Sequence, residues 1–380
     1  MSSPPAPTAA ERVGNAAARV STLELLFDLV FVFTITQVTE VIVEHPDWLG
    51  AAQAALTLAI VFWMYDGYAW LTNQAADAGV VLRFGLIAAM VAFLLLAVSI
   101  PHAFGASGLL FGVAYLIIVI IHTTLFMITG SSEARRGILR LVPFNVAGAV
   151  LLVASAFVDQ PLHWAFFGAA LAVFVGSTIT RSPSRFDIGA SHFVERHGLL
   201  MIIAFGESIV SVGVGASRHE VAASLIVGAA LCVGIVAAMW WCYFSGDDDR
   251  ADERFTRTAA ERRPYLALTA FGVDHLVMIF GLVVFAAGVR FSIEDVFVVV
   301  QQPAQWMLAA GVALYLLGDA RYRQELGIGP SGWRYLGALA AAASGLLGLA
   351  LPVAVQLAVL LMILAAVLAV EPVTRQRARS

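Results

Sequence analysis

Apolar residues run along this chain in long, closely spaced blocks, at 22 to 43, 49 to 72, 83 to 101, 108 to 130, 137 to 158, 161 to 181, 194 to 216, 222 to 245, 265 to 289, 303 to 320, 333 to 350 and 352 to 370. At about 1.5 Å per residue, each block is long enough as a helix to cross roughly 30 Å of hydrocarbon. An open strand in lipid would leave its backbone N–H and C=O groups unpaired, so every block is predicted to be a helix. The pattern predicts an all-α, polytopic transmembrane bundle of about 12 spans. The last two blocks form one apolar stretch, and Pro352, which has no backbone donor, is its predicted hairpin point.

The arginines set the predicted orientation. With residue 1 inside, cytoplasmic segments hold every arginine except Arg218 and Arg290, 20 of the 22. An error of one span would scramble that bias, so the count supports both termini being cytoplasmic. Residues 1–20 are Pro- and Ala-rich and lack the apolar core of a cleavable signal, which predicts a disordered cytoplasmic tail. Residues 21–371 then form a single transmembrane domain, and 372–380 an Arg-rich cytoplasmic tail. The connection from about 181 to 196 divides six blocks from six, giving halves of about 21–181 and 194–371. The first block of each half would run outward, so a duplication would be a parallel repeat. The other long cytoplasmic connection is 246–264.

Composition narrows the function classes. Hydrophobic residues make up 60% of the chain and charged residues 13%, against roughly 25% charged in soluble domains. The lipid bilayer is therefore the predicted partner. No basic patch is dense enough to follow a phosphate backbone, which argues against nucleic acid. All 22 basic residues are arginine. Without lysine there is no Schiff base to retinal or pyridoxal phosphate and no Walker lysine. Cys232 and Cys242 are ten residues, about 15 Å, apart along one helix and read as free buried thiols.

Polar residues inside spans are costly, about 2.5 to 3.5 kcal/mol for a central charge on insertion scales, and they mark where to look for function. Glu24 and Asp28 share one face of the first span, and Gln37 lies nearly opposite Asp28. Asp66 sits among Tyr and Trp in WMYDGYAW, in the inner part of the second span. His122 is near the middle of the fourth. Arg196 and Glu207 share a face of the seventh but are about 16 Å apart along its axis, too far to pair. Asp274 and His275 are near the middle of the ninth. Two readings apply: interhelical clasps, or a relay of titratable groups. Glu24, Glu195 and Arg196, near the cytoplasmic interface, read as structural, with snorkelling or an interfacial salt bridge sufficient to explain them. Asp28, Gln37, Asp66, His122, Glu207, Asp274 and His275 are the candidates for binding a proton or substrate, and Glu207, Asp274, His275 and His122 are predicted at one depth. Asp319, at a helix end, asks for less explanation.

The connection SGDDDRADER contains Asp248, Asp249 and Asp252 in a DDxxD spacing that could hold Mg²⁺ for a diphosphate, or could simply be a solvated face neutralising nearby arginines. His192, Glu195 and His197 do not match the H-E-x-x-H spacing of a zinc site.

LELLFDLVFVFTITQ (residues 23–37) and ERHGLLMIIAFGESIVSVG (residues 195–213) resemble the bacterial low temperature requirement protein A family. The matching positions are Glu24, Phe27, Asp28, Gln37, Glu195, Arg196, Gly206 and Glu207, while His197 stands where an aromatic such as Phe is expected. The resemblance implies a multi-pass protein of the bacterial cytoplasmic (inner) membrane that retains acids in its first and seventh spans. The expected function is a secondary transporter or permease for a small solute or ion that uses the buried acids. The alternative is an intramembrane enzyme acting on a lipid or prenyl diphosphate, and a weaker third is a membrane-adapting protein without turnover. No cofactor is firmly implied; Mg²⁺ enters only with the alternative.

Overall fold

The structure, a computed structural model, describes residues 20–74, 79–159, 161–179, 188–217, 222–300 and 302–377. Among these residues all regular structure is helical. The helices are α1 (Thr22–Glu44), α2 (Trp48–Gln74), α3 (Gly79–Ser99), α4 (Gly108–Thr129), α5 (Ser132–Ser155), α6 (Leu162–Ile179), α7 (Ala190–Ala216), α8 (Ala223–Phe244), α9 (Asp247–Arg257), α10 (Arg263–Ser292), α11 (Ala304–Leu326), α12 (Gly332–Ala343) and α13 (Val353–Arg377).

Each apolar block of the sequence coincides with one of these helices. Nine of the described helices are long and apolar enough to cross a membrane. The other three blocks differ for visible reasons. Helix α6 is apolar but shorter, α11 carries Asp319, Arg321 and Arg323 in its later turns, and α12 stops at Ala343 and continues as a 3₁₀ turn, Ser344–Leu349. The chain does turn at Pro352. The first turn of α13 is held from outside the helix, Val353 N–H donating to the Val298 carbonyl (3.1 Å) and Ala354 N–H to that of Val296 (2.8 Å).

Local chemistry sets the helix ends. Ser21 and Glu24 form a capping box at the start of α1, and the Ser131 hydroxyl caps α5 through Ala134 N–H. Two connections differ from expectation. Residues 190–196 already belong to α7, and most of 246–264 is the amphipathic helix α9, entered through Gly246 at φ 87°, where a side chain would be strained.

Helices α10 and α11 pack most closely, through glycines seven residues apart on each. A Cβ at Gly281 would come within 2.6 Å of Tyr315 N, at Gly311 within 2.5 Å of Phe285 N, and at Gly318 within 2.8 Å of Asp274 O. In lipid, where apolar side chains gain nothing by leaving water, such backbone approach is a main source of helix association. The first half of α10 is irregular: Ala267–Asp274 is π-helical, an arrangement that often accompanies function.

Candidate functional site

Polar side chains from seven helices meet in a belt at one level of the bundle. At its centre is Arg196 of α7, 1% exposed. Its guanidinium donates to Glu24 Oε1 (2.8 Å) and Asp28 Oδ1 (3.0 Å) of α1 and to the Thr72 hydroxyl of α2 (3.0 Å). Tyr65 donates to the same Asp28 oxygen at 2.9 Å. The guanidinium also lies 5.8 Å from the ring centres of Phe27 and Tyr65. Snorkelling is therefore corrected for this residue: Arg196 turns into the protein, and its ion pairs hold it there. Glu24 additionally meets His192 Nε2 at 3.3 Å, and exposed Glu195 accepts from Val20 N–H.

One residue further along α7 the belt becomes a histidine chain. His197 Nδ1 lies 2.8 Å from the Phe193 carbonyl, which makes that nitrogen a donor. Its Nε2 faces Asp66 Oδ1 at 3.3 Å. Behind it stands His275, its ring centre 5.3 Å away. His275 Nδ1 is 2.8 Å from the carbonyl of Ala270, in the π-helical segment, and its Nε2 is 2.9 Å from the Tyr243 hydroxyl of α8. With Nδ1 donating, the neutral ring accepts the Tyr243 O–H at Nε2.

Asp66 also lines a pocket of about 530 Å³, counted to its open mouth, between α2, α4, α5 and the π-helical segment. Trp63, Trp70, His122, Asn145 and Leu268 form its walls with Asp66. His122 Nε2 bonds the Gly67 carbonyl at 2.9 Å, and a Cβ on Gly67 would lie 3.2 Å from that nitrogen, so the glycine makes room for the ring. Trp63 Nε1 donates to Asn145 Oδ1 at 3.1 Å.

The remaining sequence candidates fall elsewhere. Glu207 does not share the depth of His122 and His275. It accepts from Thr36 (2.7 Å) and Ser211 (3.3 Å), and Thr36 lies eight residues, about 12 Å, further along α1 than Asp28. Asp274 turns away from its neighbour His275 and accepts from Arg321 Nε at 2.8 Å, on a flank where Arg321 is 45% exposed. Gln37 is half-buried on α1 and takes part in none of these groups.

The Asp-rich helix pairs acids with arginines, partly in the interior. Asp247, one residue before the DDxxD acids, is fully buried and meets Arg250, Arg323 Nε (3.4 Å) and Arg334 Nη2 (3.0 Å). Arg334 also donates to Glu371 (2.7 Å), Asp319 and the Cys242 carbonyl (2.9 Å). Helices α8, α9, α11, α12 and α13 are thus pinned by three carboxylates and three guanidiniums. Asp249 is exposed, Asp248 and Asp252 are half-buried, and Asp252 accepts from Thr256. Among the described residues no group of three or more His, Cys, Asp or Glu is placed to hold a metal ion.

Sequence comparison fits this architecture. The sequence model described as "Bacterial low temperature requirement A protein (LtrA)" matches residues 19–369. The chain belongs to that family. It is a multi-pass membrane protein. A relative in Rhizobium meliloti (strain 1021), "Uncharacterized protein RA0937", is 26% identical over 286 residues, covering 71% of this chain and 68% of its own.

In this LtrA family member, several site residues carried no signal of their own in the sequence. Tyr65 and Tyr243 drew no reading of their own until the fold faced them to Asp28 and His275. Asp319 read as a helix-end charge, Arg323 and Arg334 only as cytoplasmic arginines, and Glu371 drew no reading, although Asp319 and Arg323 do stand one turn apart on one face. Buried Arg196, Arg323 and Arg334 also enter the 20-to-2 arginine count, yet ion pairs within the protein fix their positions.

Proposed function

We propose that this LtrA family protein is a permease for a small solute, with proton movement through the Asp66–His197–His275 belt. The observation that carries the reading is the pocket wall at Asp66, whose carboxylate faces the pocket on one side and His197 on the other. An acid that lines a binding space on one side and faces an imidazole on the other is the arrangement a coupled transporter uses. Asp28 with Arg196, Asp274 with Arg321, and Glu207 with its two hydroxyl donors serve as interhelical clasps in this reading.

Twelve spans in two halves of six, with both termini cytoplasmic in a bacterial inner membrane, complete the proposal. The ion pairs support the alternating course: the start of α1, the end of α2, the starts of α7 and α12, and the ends of α11 and α13 all lie at the arginine-bearing end of the bundle. The alternative, an intramembrane enzyme on a lipid or prenyl diphosphate with Mg²⁺ at Asp248, Asp249 and Asp252, draws less support. The pocket takes no wall from α9, and the fully buried acid of that helix is engaged by arginines.

The test is a screen in proteoliposomes carrying an internal pH dye, challenged with amines, amino acids, organic acids and inorganic cations. At least one solute is expected to drive a proton flux above protein-free vesicles, and Asp66→Asn or His275→Gln to abolish it. A flux indifferent to both substitutions, or no flux with any class, would refute the proposal.

A further inference from the structure

The polar groups around the pocket are unequal in kind, and that inequality says what it takes. His122 is 3% exposed, and its Nε2 is spent as a donor to the Gly67 carbonyl. Its Nδ1 in the neutral ring is then an acceptor, and it meets no donor among the described residues. Asp66, 8% exposed, offers its carboxylate from the opposite wall. The pocket is lined by no arginine, and the chain has no lysine. Asn145 has its carbonyl occupied by Trp63 and supplies the one free side-chain amide donor of the lining. Trp63, Trp70 and Phe126 provide aromatic walls. A carboxylate and a bare imidazole nitrogen among aromatic rings suit a cationic guest with an apolar body and repel an anion.

We propose that the pocket binds a small organic cation, an amine or quaternary ammonium, and that Asp66 is balanced either by this cation or by a proton on His197, never both. The site rests on the permease reading given above and names its substrate class. The exclusivity follows from geometry. Because His197 Nδ1 donates to Phe193, its Nε2, 3.3 Å from Asp66 Oδ1 and outside hydrogen-bond geometry, attracts that oxygen only as an ion pair with His197 protonated. A cation brought to Asp66 supplies the same charge, so that proton leaves to bulk water. One positive charge enters and one departs, and the buried charge of the site is unchanged. The other titratable groups facing this pair are His122 from α4 across the pocket, His275 from α10 behind His197, and Asp28 and Arg196 from α1 and α7 beside it. The α5 wall contributes Ile138, Leu141 and Asn145, none of them titratable.

Binding in detergent tests this without any transport step. Benzyltrimethylammonium is titrated into the purified full-length protein in weak buffer, with heat and proton release both recorded, and toluenesulfonate serves as the anionic control. The wild type is expected to bind the cation, release a proton on binding, and ignore the anion. Asp66→Asn should weaken binding about 30-fold or more, the loss expected when one partner of a buried charge pair is removed. His197→Gln should keep binding but lose the proton release. Leu141→Trp, which fills the pocket and leaves Asp66 in place, should abolish binding and guards against misfolding of the Asn variant. Unchanged cation binding in both Asp66→Asn and Leu141→Trp, or preference for the anion, overturns the inference. Binding with proton release but no flux in vesicles would leave the site standing and sink the permease, whereas a flux of another solute that Asp66→Asn abolishes, with no binding of the cation to the wild type, would do the reverse.

Discussion

Replacing Arg334 with methionine removes the hub of the α8–α9–α11–α12–α13 clasp while keeping most of the side-chain volume. Arg334 is fully buried and donates to Glu371, Asp319 and the Cys242 carbonyl, with Asp247 3.0 Å away. In the wild type Asp247, Asp319 and Glu371 are balanced by Arg250, Arg323 and Arg334. The substitution leaves three carboxylates facing two guanidiniums, one of them Arg250, which reaches solvent. Breaking a buried ion pair on one side costs about 3–5 kcal/mol, because the remaining charge stays desolvated without its partner. Against a total stability on the order of 5–15 kcal/mol, that is a large fraction. The charge argument makes a second, sharper statement: adding Glu371→Gln to Arg334→Met restores two against two, so the double variant should be more stable than the single one. The protein carries its own reporter. Cys232 and Cys242 are its only cysteines, both free and at most 1% exposed, so a thiol-reactive fluorophore lights up only as α8 is exposed on heating. A melting curve of Arg334→Met overlying the wild type, or a double variant that melts below the single one by the sum of separate losses, would refute the reasoning.

Three further outcomes follow from the same geometry. Arg196→Met should cost about 3–5 kcal/mol by stranding Asp28 and Glu24, whereas Glu24→Gln, which leaves the Asp28 pair intact, should cost about 1 kcal/mol; equal losses in the thiol melt would count against the central role of Arg196. Gly311→Val drives a side chain into Phe285, whose backbone nitrogen would be 2.5 Å from the new Cβ, and should destabilise by about 1–3 kcal/mol with loosening of α10 from α11; a neutral effect would show that this contact is not tight. In a background with Cys232 and Cys242 replaced by Ala, Ala106→Cys is expected to react with an impermeant maleimide on intact cells and Ala259→Cys only after permeabilisation; the opposite pattern would invert the proposed orientation.

Hydropathy alone located every described helix of the bundle except the polar α9, because an apolar block of some twenty residues in lipid has one way to satisfy its backbone. It also placed the break at Pro352, since proline removes the donor a continuing helix needs. Asp28, Asp66, His122 and His275 could be picked out as costly residues in apolar runs, and the cost is local, so it shows in sequence. Which of them meet is another matter. Asp28 and Glu24 find Arg196 from 168 or more residues away, and Asp66 finds His197 only because α2 and α7 cross at that level. Glu207 seemed to belong with His275 by its distance from a helix end, but the helices are offset along their axes, and its partners proved to be hydroxyls a few turns away. Spacing alone left the acids of SGDDDRADER open between a metal motif and a solvated face neutralising arginines; the turn at Gly246 decides which carboxylate points inward, and it is Asp247. Sequence therefore determined the helices and the residues that cannot lie in lipid without a partner. Partnership itself is a long-range property, set by crossing points and axial offsets between helices, and only the tertiary structure decided it.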